Sequence, residues 1–347
     1  MIRLTILAFF ISFTVFHPLQ SKAQTAADEQ DTLRFMFYNV ENLFDPFDDS
    51  LKRDDEFTYD GARHWTWNKF QTKLNHIYKT IMAAGNPMPP VCIGLCEIEN
   101  RFVLNQLVYK TPFSKFDYRI VHRESPDRRG IDVGLLIDPK RFELISYEAI
   151  HIRFPFDTNG RTRDILYVKG LVYNSDTLHI FINHWPSRWG GQLVTDPKRK
   201  FVADVLKSKT DSLFKAIPRP NIIIMGDFND YPTDESIRLH LKAGRLADSA
   251  QLVNLMLPYA SNYSFGSHKY HDEWGTLDQI ILSKYLFSPT QRLQINHQKA
   301  FILDAPFLLM PDEKFLGVKP FRTFVGFKYI GGYSDHLPVY FDIFKKK

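Results

Sequence analysis

Cysteine is scarce in this chain of 347 residues, which contains only Cys92 and Cys96. Both lie in one predicted strand, where four residues of extended chain place their Cα atoms ~13 Å apart. That separation is about twice the reach of a disulfide bond. We therefore predict two buried, unpaired thiols, which argues against a disulfide and against a cysteine-ligated metal site.

Long hydrophobic runs are missing after the N-terminus, as are internal repeats and low-complexity tracts. At the N-terminus, Arg3 precedes an apolar stretch at Leu4–Phe16 and small residues at Ser21–Gln24. The stretch is shorter than the ~20 residues that a spanning helix needs. We interpret residues 1–24 as a cleavable signal peptide, with a membrane anchor as the alternative. The mature chain, residues 25–347, is then predicted to be a periplasmic or secreted, single-domain monomer without a stable membrane span.

Neither sign of charge is in large excess. The net charge is +5, and removal of residues 1–24 lowers it to +3 because Arg3 and Lys22 are lost with no acidic residue. Such mild basicity is compatible with a phosphate-bearing substrate but does not select one. Hydrophobic residues make up 44% and aromatic residues 15% of the chain, which indicates a globular protein with a thick core.

The segment Asn221–Asp230 combines a short apolar run with polar residues directly behind it. Ile222–Met225 are all apolar, as expected for a strand buried on both faces. We predict that Gly226 lets the backbone turn, and that Asp227 and Asn229 point the same way if the chain stays extended. Their oxygens suit Mg²⁺, Mn²⁺ or Ca²⁺. The alternative is an ordinary Asp/Asn turn after a core strand.

Other predicted strands also carry polar residues at or near their ends, and each such residue alone is compatible with a plain strand terminus. These strands are Thr32–Val40 with Asn39, Pro90–Glu97 with Glu97 before a helix that starts at Ile98, Thr177–Phe181 with His184 two or three residues beyond, Gly275–Ser283 with Asp278, and Val339–Phe344 with Asp335 and His336 before it. An Asp–His pair with a further carboxylate available is a general-base arrangement. The recurrence of the pattern predicts one shared ligand site.

Two helices are predicted from the spacing of apolar residues. The first carries its apolar face at Phe70, Leu74, Ile77 and Ile81. The second spans Pro197–Ile217, with its apolar face on or near Phe201, Val205, Leu213 and Ile217. Residues 283–323 are predicted to be irregular.

Three further charged residues are candidates for substrate binding. Asp132 is the single charge in the predicted strand Ile131–Ile137, so we expect it to pair with Arg129 or with a histidine. Arg129, together with Arg188 in the loop after His184, could contact backbone phosphates.

The polar segment Asp45–Thr66 is predicted to be a solvated surface loop. The alternative is a second Ca²⁺ site, for which the candidates are Asp48, Asp49, Asp54, Asp55 and Glu56. Trp65 and Trp67 at the end of this segment are expected to pack against the protein and not to stack on a substrate.

Six motifs, in this order, resemble the endonuclease/exonuclease/phosphatase superfamily, whose fold is that of deoxyribonuclease I. They are Y-N-V-E-N at Tyr38–Asn42, the strand that ends in Glu97, N-H-W-P-S at Asn183–Ser187, G-D-F-N-D at Gly226–Asp230, T-L-D-Q at Thr276–Gln279 and S-D-H-L-P at Ser334–Pro338. The resemblance covers residues 33–344. It is specific for the superfamily but not for a substrate. Asp132 departs from it, since many relatives have an uncharged residue there.

The resemblance implies an α/β four-layer sandwich, in which two mixed β-sheets pack face to face and helices flank them. It also implies a Mg²⁺ site, with Mn²⁺ or Ca²⁺ as alternatives. The implied ligands are Asn39, Glu97 and Asp335.

The resemblance further implies catalytic roles. Asp227 and Asn229 would orient or deprotonate the attacking water. His336, paired with Asp278, would contact the scissile phosphate or serve as the base. His184 would stabilise the phosphoryl oxygens or protonate the leaving group.

Three functions fit these observations. The first is a secreted, metal-dependent phosphodiesterase that acts as a nuclease on nucleic acid. The second keeps the chemistry but acts on a phospholipid head group or a phosphomonoester, since sphingomyelinases and inositol phosphatases look similar at the same motifs. The third is a non-catalytic binding module, which is disfavoured because every matched position is filled.

Overall fold

The fold is built mainly from β-strands. The computed structural model describes residues 32–85, 88–260 and 265–346, so the predicted signal peptide lies outside the described residues. In chain order the strands are β1 (Thr32–Leu43), β2 (Cys92–Ile98), β3 (Arg119–His122), β4 (Asp132–Ile137), β5 (Glu143–Ile150), β6 (Ile165–Val172), β7 (Asp176–His184), β8 (Asn221–Asp227), β9 (Ala243–Gly244), β10 (Leu252–Asn254), β11 (His268–Tyr270), β12 (Glu273–Gly275), β13 (Asp278–Ser283), β14 (Leu293–Gln294), β15 (Phe301–Ile302), β16 (Leu309–Pro311), β17 (Val318–Pro320), β18 (Phe324–Val325), β19 (Lys328–Tyr329) and β20 (Val339–Lys345).

The strands form two large mixed sheets. The first has the order β14-β20-β1-β2-β4-β3, with β15 also paired to β20, and the second has the order β5-β6-β7-β8-β13-β10-β9. Strands β1 and β2 run parallel in the first sheet, and β7 and β8 run parallel in the second. Short two-stranded sheets join β11 to β12, β16 to β17 and β18 to β19.

The α-helices lie outside the sheets. They are α1 (Trp67–Ala84), α2 (Arg101–Lys110) and α3 (Gln192–Ala216). Thr66 accepts a hydrogen bond from Lys69 N at the start of α1, and Asn100 accepts one from Val103 N at the start of α2. These side chains satisfy backbone N–H groups that have no partner within the helix. Among the described residues, no helix is both long and apolar enough to cross a membrane.

Three apolar clusters give the molecule its layers. Between the sheets, residues such as Phe35, Ile180 and Met225 form the largest cluster. The outer face of the first sheet packs on α1 and α2, and the outer face of the second packs on α3. Alternate residues of one strand therefore enter different clusters, as Phe35 and Met36 do. This is the predicted four-layer sandwich, which is confirmed.

Several local predictions are also confirmed. The apolar face of α1 is buried at Phe70, Leu74, Ile77 and Ile81. Cys92 and Cys96 are buried free thiols on β2. Trp65 is fully buried, and its ring packs at an angle of 83° against that of Phe57.

Helix α3 differs from its prediction. It begins at Gln192, so Pro197 lies inside it, although proline favours the first turn of a helix. Its buried face is Arg199, Val202, Ala203, Leu206 and Thr210. The apolar pattern missed this face because two of its members are polar. Arg199 is buried as an ion pair with Asp230, with Nε 2.7 Å from Oδ1.

Gly226 also has a different role from the predicted one. It lies inside β8, which continues through Asp227, and so it does not mark a turn. A Cβ atom at this position would lie 2.5 Å from the backbone oxygen of Asn183 on β7. Only glycine permits this close approach of two parallel strands.

Residues 283–323 are not wholly irregular. They contain β14 and β15, which extend the first sheet along β20, and the hairpin of β16 and β17. These strands have only two or three residues each, which is too short for a recognisable alternation of apolar and polar positions.

Candidate active site

Strand register brings the predicted site residues of the second sheet together. In the parallel pair β7–β8, His184 lies opposite Asp227. In the antiparallel pair β8–β13, Asp278 lies opposite the same Asp227. His184 is therefore the last residue of β7, not a loop residue beyond the strand as predicted. Three polar side chains occupy neighbouring positions across one sheet.

The first sheet contributes its residues through an irregular strand pair. Asn39 lies opposite Cys96, and the register of β1 against β2 shifts between Asn39 and Leu43. Glu97 has φ 59° and Asn42 has φ 56°, which is the left-handed region that non-glycine residues rarely occupy. Asn42 N donates to Glu97 Oε2 over 2.9 Å. The distortion thus holds the Glu97 carboxylate at the edge of the sheet, and such strain concentrates at functional sites.

Glu97 lies inside β2 and not at a strand–helix junction. Strand β2 extends to Ile98, and α2 starts only at Arg101. Glu97 is therefore separated from the first turn of α2, whose N-cap is Asn100.

The two sheets meet at these side chains. Asn39 Nδ2 lies 3.0 Å from Asp227 Oδ2 and 3.4 Å from Glu97 Oε1. His184 Nε2 lies 3.9 Å from Asp227 Oδ2 and 4.0 Å from Glu97 Oε1. His336 Nε2 lies 3.9 Å from the same Asp227 oxygen. We call Asn39, Glu97, His184, Asp227, Asp278, Asp335 and His336 the strand-end cluster.

His336 is held as a cation within this cluster. Its Nδ1 lies 2.7 Å from Asp278 Oδ2, which also accepts a hydrogen bond from Ser267 Oγ over 2.6 Å. Burial lowers the pKa of His336, but the carboxylates of Asp278, Asp227 and Asp335 outweigh it and raise the pKa well above its usual value. An imidazolium at this position can bind an anionic group.

His184 shows the opposite behaviour. Burial, together with the positive charges of Arg163, Arg129 and His336, lowers the pKa of His184 well below its usual value. Its ring is therefore neutral and can donate a hydrogen bond without adding charge. Burial also raises the pKa of Asp227, although His336 opposes the shift. A carboxyl whose pKa is raised toward neutrality suits a general base.

The cluster retains bonding capacity that its own members do not use. Among the described residues, His184 Nδ1 and Asp278 Oδ1 are buried atoms without a hydrogen-bond partner. Ligand atoms of Asp227, Asp278 and His336 lie within 4.8 Å of one another, as do those of His268, Asp335 and His336. Carboxylate oxygens at these distances fit a hard divalent cation. Asn39 Oδ1 accepts a hydrogen bond from Glu41 N, so the amide nitrogen of Asn39 faces the carboxylates.

Asn229 stands beside the cluster in a different orientation from that expected for an extended chain. It has φ 51°, its N–H donates to Asp227 Oδ1 over 2.9 Å, and its side chain donates to Trp185 O. Asn229 thereby fixes the Asp227 carboxylate. The two side chains were expected to point the same way if the chain stayed extended. The chain does not stay extended, because β8 ends at Asp227.

The three predicted substrate-binding residues have separate surroundings. Asp132 is buried and binds His122 Nε2 at 3.1 Å and Ser125 N at 2.9 Å, so its partner is a histidine and not Arg129. Arg129 donates to Asn42 Oδ1 at 2.5 Å, at the edge of the cluster.

Arg188 is engaged within the protein. Its Nη2 lies 2.6 Å from Asp234 Oδ2 and 3.1 Å from Asp230 Oδ1, and its Nε donates to Asn229 O. The guanidinium also lies over the Tyr231 ring, 4.5 Å from its centre. Arg188 therefore fixes the segment that follows β8.

The segment 45–66 is less solvated than predicted. Phe57 is buried, and its ring stacks on that of Phe44 at 4.3 Å. Asp54 is buried and accepts a hydrogen bond from Asp49 N. Among the described residues, the groups of three possible metal ligands within 4.8 Å include none of the predicted Ca²⁺ candidates.

Sequence reasoning missed several residues around the cluster. Ser267 orients Asp278, and the His268 ring lies 4.7 Å from the His336 ring. Arg322 Nη2 donates to Asp335 Oδ2 over 2.9 Å. Arg163 donates to Trp185 O over 2.6 Å and lies close enough to His184 to affect its pKa. These residues lie in short or irregular segments, where the sequence offers no periodic signal.

The comparisons with known proteins agree with this geometry. Residues 34–345 match the model of the endonuclease/exonuclease/phosphatase family. No curated protein matches this chain in sequence. The human Nocturnin catalytic domain with bound sulfate anion has a TM-score of 0.55 at 18% identity, over 91% of this chain and 95% of that chain.

Two further solved structures are similar. D. rerio TDP2 complexed with single strand DNA product has a TM-score of 0.53 at 15% identity, over 90% of this chain and 98% of that chain. An endonuclease/exonuclease/phosphatase family protein from Bacteroides thetaiotaomicron has a TM-score of 0.51 at 13% identity, over 90% and 97% of the two chains. At these identities the similarity shows a common fold.

Proposed function

Since this chain belongs to the endonuclease/exonuclease/phosphatase family and is a phosphoester hydrolase, we propose that it is an exported, Mg²⁺-dependent nuclease that cleaves phosphodiester bonds in nucleic acid. The observation that carries the proposal is the strand-end cluster. Side chains from six separate strands or strand ends lie within 4.0 Å of at least one other member of the cluster. They comprise one amide, several carboxylates, one neutral histidine and one histidine held as a cation.

The proposed cation site uses Glu97 and Asp335, with Asn39 beside them. The carboxylates supply hard oxygen ligands, and Asn39 would serve as a ligand if its Oδ1 were presented in place of the amide nitrogen. A bound divalent cation neutralises phosphate oxygens and so supplies electrostatic stabilisation to the reaction. Mn²⁺ and Ca²⁺ are the alternative ions.

The side chains divide the remaining work. Asp227, held by Asn229 N and Asn39 Nδ2, accepts a proton from the attacking water. His336, kept charged by Asp278, binds a non-bridging phosphate oxygen and stabilises the charge that develops there. His184 donates a hydrogen bond to the phosphoryl group or the leaving oxygen.

Nucleic acid is the proposed substrate for two reasons. One similar structure, that of D. rerio TDP2, is described as a complex with single strand DNA product. Arg128 and Arg129 are exposed, and Arg129 contacts Asn42, whose backbone N–H donates to Glu97 of the cluster. Basic side chains of this kind contact backbone phosphates. Arg188 is a weaker candidate for this role than its sequence suggested, because Asp230 and Asp234 already bind it.

The proposal is tested with purified mature chain, residues 25–347. Plasmid DNA, single-stranded DNA and RNA are incubated with Mg²⁺ or Mn²⁺, with and without a chelator. We expect cleavage that the chelator abolishes. A folded protein that cleaves none of these polymers with either ion would refute the nuclease.

A substrate panel separates the alternatives. Release of phosphocholine from a phospholipid, or of inorganic phosphate from a phosphomonoester, would indicate the second function that the sequence allows. Glu97→Gln serves as the catalytic control, because it keeps the side-chain shape but removes the charge needed for a cation. Activity unchanged in Glu97→Gln would show that the cleavage does not come from this site.

A further inference from the structure

Arg322 reaches the strand-end cluster from a segment that contains none of the sequence motifs. Its Nη2 donates to Asp335 Oδ2 over 2.9 Å, and its Nε donates to Glu41 Oε1 over 3.2 Å. Nevertheless, the side chain keeps 44% of its surface exposed. The guanidinium is therefore held from one side by two carboxylates and open to solvent on another.

The residues that hold Arg322 and its neighbour Thr323 are buried and hydrogen-bonded. Glu41 is buried, and its second oxygen accepts a hydrogen bond from Thr323 N over 2.6 Å. Lys73 is buried as well, with Nζ 2.6 Å from Thr323 Oγ1, 2.6 Å from Tyr333 O and 3.9 Å from Glu41. We call Glu41, Lys73, Arg322 and Thr323 the lysine network. It fixes both the backbone and the head group of Arg322.

A purely structural role does not account for the placement of this arginine. Lys73 Nζ lies 3.9 Å from Glu41, and Thr323 N donates to it, so Glu41 has polar partners other than Arg322. A guanidinium that served only to bury the Glu41 charge would gain nothing from its exposure beside Asp335. Among the described residues, Nη1 of Arg322 has no hydrogen-bond acceptor, whereas Nε and Nη2 do.

We propose that Arg322 is a substrate-binding residue whose guanidinium contacts a non-bridging oxygen of the phosphate group. Guanidinium binds phosphate through parallel N–H donors, and fixed orientation lowers the entropic cost of binding. Nη1 is the donor left for the substrate, because Asp335 Oδ2 already accepts from Nη2. Glu41 likewise holds Nε.

Electrostatics agree with this assignment. A guanidinium group keeps its charge at any working pH. Arg322 and His336 lie next to different oxygens of Asp335, at 2.9 Å from Oδ2 and 4.0 Å from Oδ1.

The inference rests on the proposed function for its substrate, but binding can be tested without turnover. Isothermal titration of inorganic phosphate into the mature chain in the presence of Mg²⁺ gives Kd for the wild type, Arg322→Gln and Arg322→Lys. We expect Kd to rise about 10-fold or more in Arg322→Gln and by a smaller factor in Arg322→Lys, which keeps the charge but lacks the planar fork.

The matched control is Arg63→Gln. Arg63 also contacts the segment 321–333, through Gly326 O and the Phe324 ring, but it touches no member of the strand-end cluster among the described residues. We expect phosphate affinity to stay within about twofold of the wild type. If Arg322→Gln does not fold, Arg322→Lys decides, and wild-type affinity in that variant overturns the proposal.

The outcomes separate the two proposals. Wild-type affinity in a folded Arg322→Gln variant, or no phosphate binding by the wild type, overturns the role of Arg322. If the wild type hydrolyses no nucleic acid, the proposed nuclease function is overturned, whatever the titration shows. If it also fails to hydrolyse bis(p-nitrophenyl) phosphate, phosphodiesterase activity is overturned as well. If the wild type hydrolyses the latter ester, KM should rise in Arg322→Gln more than kcat falls.

Discussion

The strand-end cluster and the lysine network meet at Asp335. They differ in how many of their buried polar atoms have hydrogen-bond partners. In the strand-end cluster, His184 lies about 4 Å from two carboxylates without a short hydrogen bond to either. Two buried atoms of the cluster, His184 Nδ1 and Asp278 Oδ1, lack hydrogen-bond partners. In the lysine network, Lys73 Nζ and both oxygens of Glu41 have short contacts. Of the two groupings, the first contains unpartnered buried atoms among the described residues, whereas the unpartnered donor of the second, Arg322 Nη1, belongs to a partly exposed side chain.

This difference separates binding from support. Unpartnered buried polar atoms cost stability, so they persist where a ligand supplies the missing contacts. A fully bonded buried ion pair gives little net stability compared with apolar residues, but it is costly to break. We therefore expect substitutions in the strand-end cluster to affect activity most, and substitutions of the buried residues Glu41 and Lys73 to affect stability most.

The largest effect is expected for His336→Gln. The variant loses the cation that Asp278 and Asp227 maintain, so kcat/KM should fall by roughly 10³-fold. The melting temperature should also fall, because glutamine leaves Asp278 buried without its cationic partner, so kcat/KM is compared at a temperature where the variant is folded. Activity and thermal unfolding are measured together, with His297→Gln, an exposed histidine, as the control. A decrease below tenfold would remove His336 from the proposed mechanism.

Lys73→Met tests the other side of the comparison. Removal of the ammonium leaves Glu41 buried beside one cation fewer and leaves Tyr333 O without its donor, so the free energy of unfolding should fall by about 3–5 kcal/mol. Chemical denaturation measures the change. Lys79→Met, on the same helix and with a contact to Tyr333 Oη, should cost about 1 kcal/mol or less.

The double variant Lys73→Met/Glu41→Gln completes this test. Because it removes both buried charges, it should recover part of the stability that Lys73→Met loses. Additive losses would show that the two side chains do not act as a pair.

Ser267→Ala should have a smaller effect on catalysis. Ser267 Oγ donates to Asp278 Oδ2, which binds His336, so Ser267 is a positioning residue. Loss of one such hydrogen bond corresponds to about a tenfold lower kcat, with KM nearly unchanged. Ser288→Ala, at a half-buried serine whose hydroxyl contacts Thr290, is the control. An increase in KM at constant kcat would contradict the positioning role.

The smallest effect is expected for His179, a buried histidine that belongs to neither grouping. Burial, with a contribution from Lys169, lowers its pKa to about 4. Because the unfolded chain binds a proton near pH 6.5 and the folded protein does not, stability should fall as pH decreases from about 6.5 to about 4. His179→Gln should weaken this fall, as measured by denaturation at several pH values. His336, which carboxylates surround, shows the reverse shift in pKa.

His297→Gln again provides the control for the pH series, because an exposed imidazole is solvated in both states. Identical pH dependence in His179→Gln and the wild type would show that burial of His179 does not contribute to acid sensitivity.

The sequence, through its resemblance to a known family, was sufficient to predict the fold and every member of the strand-end cluster. Strands such as β8 have apolar residues on both faces, which requires a layer on each side. The ordered motifs then identified Asn39, Glu97, His184, Asp227, Asp278, Asp335 and His336, and these side chains do meet at one edge of the two sheets. Their catalytic roles remain predictions.

The supporting residues could not be predicted in the same way. Arg322 and Ser267 lie in irregular or very short elements, and neither recurs at a helical or strand period. Arg188 shows the opposite error, since a basic residue in a predicted site loop is bound by Asp230 and Asp234. A one-dimensional pattern does not tell which charges find partners.

The sequence by itself determined the alternation of buried strands and amphipathic helices, because hydrophobic periodicity depends on neighbours along the chain. Tertiary structure alone decided the partners of each polar group. It placed Arg322 against Asp335 and Glu41, kept His184 neutral, and made His336 a cation. Hydrogen bonds and electrostatic interactions depend on distance in space, and residues far apart in sequence acquire that proximity only when the two sheets pack.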